Sequence, residues 1–188
     1  MLLTNHVLSG ALIGALVRDP ASAFTAGVAS HFVLDAVPHW GNWGSKRMFL
    51  QVAVPDGLIS LAAIGAFAAV APPDRRVAVV AAMVGAALPD ADKPTNLWWG
   101  WSPFPAAVDR FHSRIQRETR DRAPVELLAA AVFGSAALIA LRRSGPRRSG
   151  PRRSGPGQVR SGRSGPGRSR ASLAAGNAGR SGTPGRSA

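Results

Sequence analysis

Asp19-Pro20, Pro72-Pro73 and Pro124 cut the first 141 residues into apolar runs whose hydrophobic residues never settle into strict alternation. A proline cannot continue a hydrogen-bonded turn from behind, and a half-buried strand needs an alternating face. The runs therefore read as helices, at residues 4–17, 21–37, 47–71, 76–89, 105–121 and 124–141. Gly41 to Gly44 and "KPTNLWWGWSPFP" (93–105) read as loops. The fold class that follows is all-α, a helical bundle of five to six helices.

A bilayer span needs about twenty apolar residues. Residues 57–71 ("GLISLAAIGAFAAVA") and 125–141 ("VELLAAAVFGSAALIAL") come close to that length and are apolar all round. Gly10 and Gly14 form a small-xxx-small pair that lets backbones approach, and Trp98, Trp99 and Trp101 are of the type that anchors at an interface. These features predict a membrane-associated bundle at the cell membrane, with membrane lipids as partners; a cytoplasmic alanine-rich bundle is the alternative. Charge pulls the other way. A single span at 125–141 would put the basic stretch 109–122 and the basic tail on opposite sides, against the positive-inside tendency.

All ten acidic residues precede Arg142, with eleven of the twenty-three Lys and Arg, so residues 1–141 carry about +1 of the formal +13. The rest, about +12, belongs to residues 142–188, where "RRSGP" occurs three times in succession. That composition has nothing to bury, and it reads as a disordered tail behind a helical domain at 1–141. The tail's charge is its sole route to nucleic acid or anionic lipid, and no aromatic residues interleave it to give specificity. The chain has no cysteine, so a metal site must use nitrogen and oxygen ligands.

Candidates for such a site lie inside the apolar runs. In "SHFVLDAVPHW" (30–40), His31 and Asp35 are four apart, one turn above each other on one helix face, and Pro38 leaves His39 at the helix end. Pro55-Asp56 and Pro89-Asp90, the latter continuing to Asp92, repeat the pattern of proline followed by a ligand-type residue. His6 lies near the start of the first helix. His112 belongs with Val108, Phe111 and Ile115 on the apolar side of an amphipathic helix, opposite Arg110, Arg114, Arg117, Glu118 and Asp121. An unpartnered buried carboxylate costs several kcal/mol, so it is paired, protonated or coordinated. No Lys or Arg occurs between residues 20 and 45 or between 48 and 74, which leaves histidines and a cation as neutralising partners.

Plainer roles are available for each residue singly. His31 and Asp35 can be a helix-stabilising pair, Asp56 a cap at Gly57, Asp90 and Asp92 loop acids, His39 a turn residue and His6 a core histidine. Taken jointly, His6, His31, Asp35, Asp56, Asp90, Asp92 and His112 are the candidate ligands of Zn2+ or another divalent ion such as Mn2+, and His39 is the candidate catalytic acid/base or a further ligand.

"SHFVLDAVPHW" resembles the H-x3-D helix motif of the YdjM-like group of membrane-bound metal-dependent hydrolases and, more distantly, of the zinc-dependent phospholipase C and P1 nuclease class. "ALPDADKP" (87–94) is similar to the former group's L-P-D-x-D-x-P element, and "FHS" (111–113) to the end of its H-R-G-x-T-H-S element. The resemblance covers roughly residues 1–120. It implies a helical fold, a metal site built from His31, Asp35, Asp90, Asp92 and His112 with His6, and hydrolysis of a phosphoester or lipid-like substrate. A non-catalytic membrane protein holding a structural metal is the alternative function.

Overall fold

The computed structural model describes residues 1–144 except Asn42. Among the described residues the chain is all-α, as the proline-cut runs require. The helices are α1 (Leu3–Leu16), α2 (Pro20–Asp35), α3 (Lys46–Val70), α4 (Pro73–Ala87), α5 (Asp92–Trp99), α6 (Ala106–Ile115) and α7 (Ala123–Ser144). A 3-10 turn at Leu88–Ala91 joins α4 to α5. Helix α7 runs past the expected boundary at 141, and the expected disordered tail lies outside the described residues from position 145.

Two expectations need correction. Residues 93–105 are not all loop, because α5 occupies Asp92–Trp99. Pro94 falls in its first turn, where a missing N–H and a fixed φ do no harm, and Gly100 at φ +72° ends it in the left-handed region. The helix expected at 105–121 stops at Ile115, because Gln116 turns to extended backbone (φ −61°, ψ 124°). The next residues form β2 (Glu118–Thr119), which pairs in parallel with β1 (His39–Trp40). Arg117 N donates to Asp35 O at 3.2 Å and His39 N to Arg117 O at 3.0 Å, so the ends of α2 and α6 are laced together.

Helix α1 is the axis of the bundle, touching α2, α3, α4 and α7. Val7, Leu8, Ala11 and Ala15 from α1 meet Phe67, Val79, Met83, Ala137 and Leu141 in the core. The close approach of α1 to α4 depends on glycine. A Cβ on Gly10 would lie 2.6 Å from Ala82 O and 2.7 Å from Met83 Cα, and one on Gly14 would collide with Val79 Cα. The small-xxx-small pair thus serves the α1–α4 crossing.

Helices α3 and α7 are both long and apolar enough to cross a membrane, yet only 11% and 17% of their most apolar stretches are buried. A core helix of a soluble protein is buried on most sides. Here α3 turns Asp56, Ser60 and Phe67 inward and leaves Val54, Leu58, Ile59, Leu61 and Val70 exposed, while α7 leaves Leu127, Leu128, Val132, Leu138 and Ile139 exposed.

Candidate metal centre

Four side chains from three segments converge at one end of the bundle. His31 and Asp35 come from the last turn and a half of α2, Asp90 from the 3-10 turn, and His112 from α6. One ligand-type atom of each lies within 4.8 Å of all the others, and all four residues are buried. His31 Nε2, His112 Nε2 and Asp35 Oδ2 form a triangle with sides of 3.0, 2.9 and 3.2 Å. Asp90 Oδ1 stands 3.6 Å from His31 Nε2 and 3.7 Å from His112 Nε2.

Those distances can be compared with coordination geometry. Nitrogen and oxygen ligands at about 2.0–2.2 Å from a tetrahedral zinc lie about 3.3–3.6 Å from one another. The two separations to Asp90, 3.6 and 3.7 Å, fall at the top of that range, and the three sides of the triangle, 2.9–3.2 Å, fall just below it. Ordinary hydrogen bonding accounts for them less well, because one proton can lie along only one edge of a triangle. His31 Nδ1 is 2.8 Å from Ala86 O, an arrangement in which Nδ1 donates and the lone pair sits on Nε2, facing the group. Gln116 Nε2 lies 3.2 Å from both Asp35 Oδ2 and His112 Nε2 and so steadies two of the four.

Electrostatics add one partner that reasoning from the sequence overlooked. Lys93, three residues past Asp90 and so on the same side of the chain, places Nζ 2.7 Å from Asp90 Oδ1. Burial opposes the ionisation of Asp90, but Lys93 and the neighbouring imidazoles outweigh it and hold its carboxyl below the usual range. Lys93 pays a desolvation penalty too, yet its attraction to Asp90 raises its ammonium above the ordinary value. The signal for this pair is the Asp-x-x-Lys spacing, which puts the two residues on one side of a helical turn.

The remaining expected residues fall into three positions. His6 and His39 approach the other oxygen of the same carboxylate, with Nε2 at 3.1 Å and 4.0 Å from Asp35 Oδ1. Asp92 lies outside the convergent four; its Oδ1 is buried without a hydrogen-bond partner, and burial pushes its carboxyl up. Asp56 is a correction. It faces the start of α1, where its carboxylate accepts from Leu3 N at 2.7 Å and Thr4 N at 3.1 Å and from the Thr4 hydroxyl. It caps a helix other than the one it sits in, because α3 continues through Pro55 and leaves Asp56 no free N–H of its own helix to cap.

Glu126 was also missed. Buried at the start of α7, it accepts from Leu2 N at 3.1 Å, Trp40 N at 3.1 Å and the Asn5 amide, and so ties α7, β1 and α1 together beside the histidines. A single acid in an apolar run that was read as a span was the available signal. Comparison of the chain with protein-family models, with curated proteins and with solved structures finds no match.

Proposed function

We propose that the protein is a membrane-associated metal-dependent hydrolase of a phosphoester or lipid-like substrate, as its resemblance to the YdjM-like group implies. The observation that supports this reading is the triangle of His31 Nε2, His112 Nε2 and Asp35 Oδ2, with sides of 2.9–3.2 Å, closed from outside by Asp90. Two nitrogen and two oxygen donors suit Zn2+ and, next to it, Mn2+. A bound ion of this kind supplies Lewis acidity and lowers the pKa of coordinated water toward about 7.

The chain's own residues do the holding and steering. His31 is fixed in orientation through Ala86 O, and Gln116 donates to Asp35 Oδ2. Lys93 places a cation beside the site, where it suits an anionic phosphoester. The exposed apolar faces of α3 and α7 favour a bilayer, which would bring a lipid-like substrate to the same molecule.

A second reading has its own support. The convergent group offers four protein ligands, the number that fills a tetrahedral ion and leaves no open position, which is the pattern of a structural zinc rather than a catalytic one. The two readings part in one experiment on detergent-purified protein. Both expect at least one equivalent of zinc or manganese, lost in a His31→Ala, Asp35→Ala variant. Only the hydrolase expects the loaded protein to cleave a chromogenic phosphodiester or phospholipid vesicles. Metal-free wild-type protein that binds no added ion would refute both.

A further inference from the structure

Five helices of the bundle carry no charge along their middles. The uncharged stretches are residues 3–17 with α1, 20–34 in α2, 57–73 with the second half of α3, 77–89 with α4 and 127–141 in α7. Contacts between neighbours set these stretches side by side. At the end that holds the candidate centre, Asn5 donates to Glu126 O at 3.1 Å, Thr4 N to Asp56 at 3.1 Å, and His31 Nδ1 lies 2.8 Å from Ala86 O. At the opposite end, Arg75 Nη1 donates to Ala15 O at 2.5 Å, and Ala15, Phe67, Ala71 and Leu141 share one core. The result is a slab without charge, closed at both ends by charged residues. Fifteen residues of helix rise about 22 Å, and the hydrocarbon core of a bilayer is about 30 Å thick. Snorkelling arginines and a locally thinned bilayer absorb a difference of that size. All five tryptophans lie toward the candidate centre, in 40–43 and 98–101, and tryptophan concentrates where headgroups meet hydrocarbon.

The two ends differ in charge. Up to Ser144 the chain has thirteen Lys and Arg and ten Asp and Glu. Arg18, Arg75, Arg76, Arg142 and Arg143 lie at the end away from the centre, with Asp19 and Asp74, which leaves eight basic and eight acidic residues at the centre's end. From Ser144, at the arginine end, the chain continues into sequence with ten more arginines and no acid. The centre's end is therefore neutral overall, and the whole formal charge of +13 belongs to the other side. By the count of basic residues that governs orientation, the ratio is fifteen to eight. This ratio also settles the conflict between the basic stretch 109–122 and the tail, because the acids that accompany the former do not accompany the latter.

We infer that the protein spans the membrane with its arginine end against the anionic, cytoplasmic leaflet, so that the candidate metal centre lies at the opposite interface. A phosphoester or lipid-like substrate then comes from the leaflet that faces away from the cytoplasm, and the ion is taken up from that side. The inference rests on the membrane association proposed above and is independent of turnover at the centre.

The chain has no cysteine, so single cysteines report the side directly. Ala107→Cys lies at the exposed start of α6, toward the centre, and Ser144→Cys at the end of α7. Each full-length variant is expressed in a bacterial host and treated, in intact spheroplasts and after lysis, with a membrane-impermeant maleimide. Ala107→Cys is expected to label equally in both conditions, and Ser144→Cys several-fold more after lysis. The reverse pattern, or the same pattern for both cysteines, overturns the orientation. An alkaline carbonate wash of the same membranes reads the association separately: release of the protein overturns the membrane reading together with the orientation, whereas retention with the reverse pattern overturns the orientation alone.

Discussion

Gln116 touches the candidate centre without belonging to it, which makes it a sensitive probe. Its amide donates to Asp35 Oδ2. Outer partners of metal ligands typically contribute 10–100-fold to affinity. Gln116→Ala is expected to weaken metal binding by about that factor without abolishing it, as read by a competing zinc chelator. Asp56 gives the opposite control. It caps α1 and lies outside the centre, so Asp56→Ala is expected to destabilise the fold by about 1–3 kcal/mol while leaving metal content unchanged.

The Asp90–Lys93 pair makes its own contribution to the pH behaviour of the metal-free protein. Asp90 is depressed, so its stabilisation is complete above the ordinary value of 3.8 and lost as pH falls through the folded value. Lys93 is raised, so its stabilisation is complete below 10.5 and lost as pH rises through the folded value. The contribution of the pair is therefore expected to be flat between those limits. Comparison of melting temperatures for wild type and an Asp90→Asn, Lys93→Met double variant across that range checks it: the difference between the two should stay constant. At this scale His31 and Asp35 were legible from their four-residue spacing, because a helix turns spacing into proximity. Lys93 was legible by the same rule but lay next to Asp92 in a stretch read as loop. That His112 would meet them was not readable, since no local period links residues 31 and 112.

Among the elements, the crossing of α1 over α4 is the contact with least room. A side chain at Gly10 meets backbone atoms of Ala82 and Met83, which cannot swing aside as a flexible side chain would. Gly10→Val is expected to force the helices apart and cost about 1–3 kcal/mol or more, seen as a lower melting temperature and, through His6 on the same helix, weaker metal binding. The six long helices were readable because proline marks their ends and apolar residues fill their lengths. Helix α5 was hidden by Pro94, which signals a break from within a helix but is harmless in its first turn. The β1–β2 pairing was beyond reach, because two-residue strands carry no period and their register follows from how α2 and α6 end.

For the molecule as a whole, the large apolar side chains of α3 and α7 face outward along most of two helices. Burying that surface in lipid would resolve what is otherwise an aggregation liability. The protein is expected to stay with the membrane fraction through an alkaline carbonate wash and to require detergent for extraction. Appearance in the wash supernatant would contradict the membrane reading. The apolar character of these runs was visible in the sequence, but their outward exposure was not, since apolarity alone does not separate a lipid-facing helix from a buried one.

The candidate ligands enter the chain at positions 31, 35, 90 and 112, so 81 of its 188 residues (112 − 31) separate the earliest from the latest. An ion bound there fastens the two ends of a long loop, and the closure cannot be completed while the ribosome has yet to deliver α6. Apolar α3 leaves the ribosome before His112 does, so if α3 enters a bilayer and the four residues take up an ion, insertion comes first during synthesis.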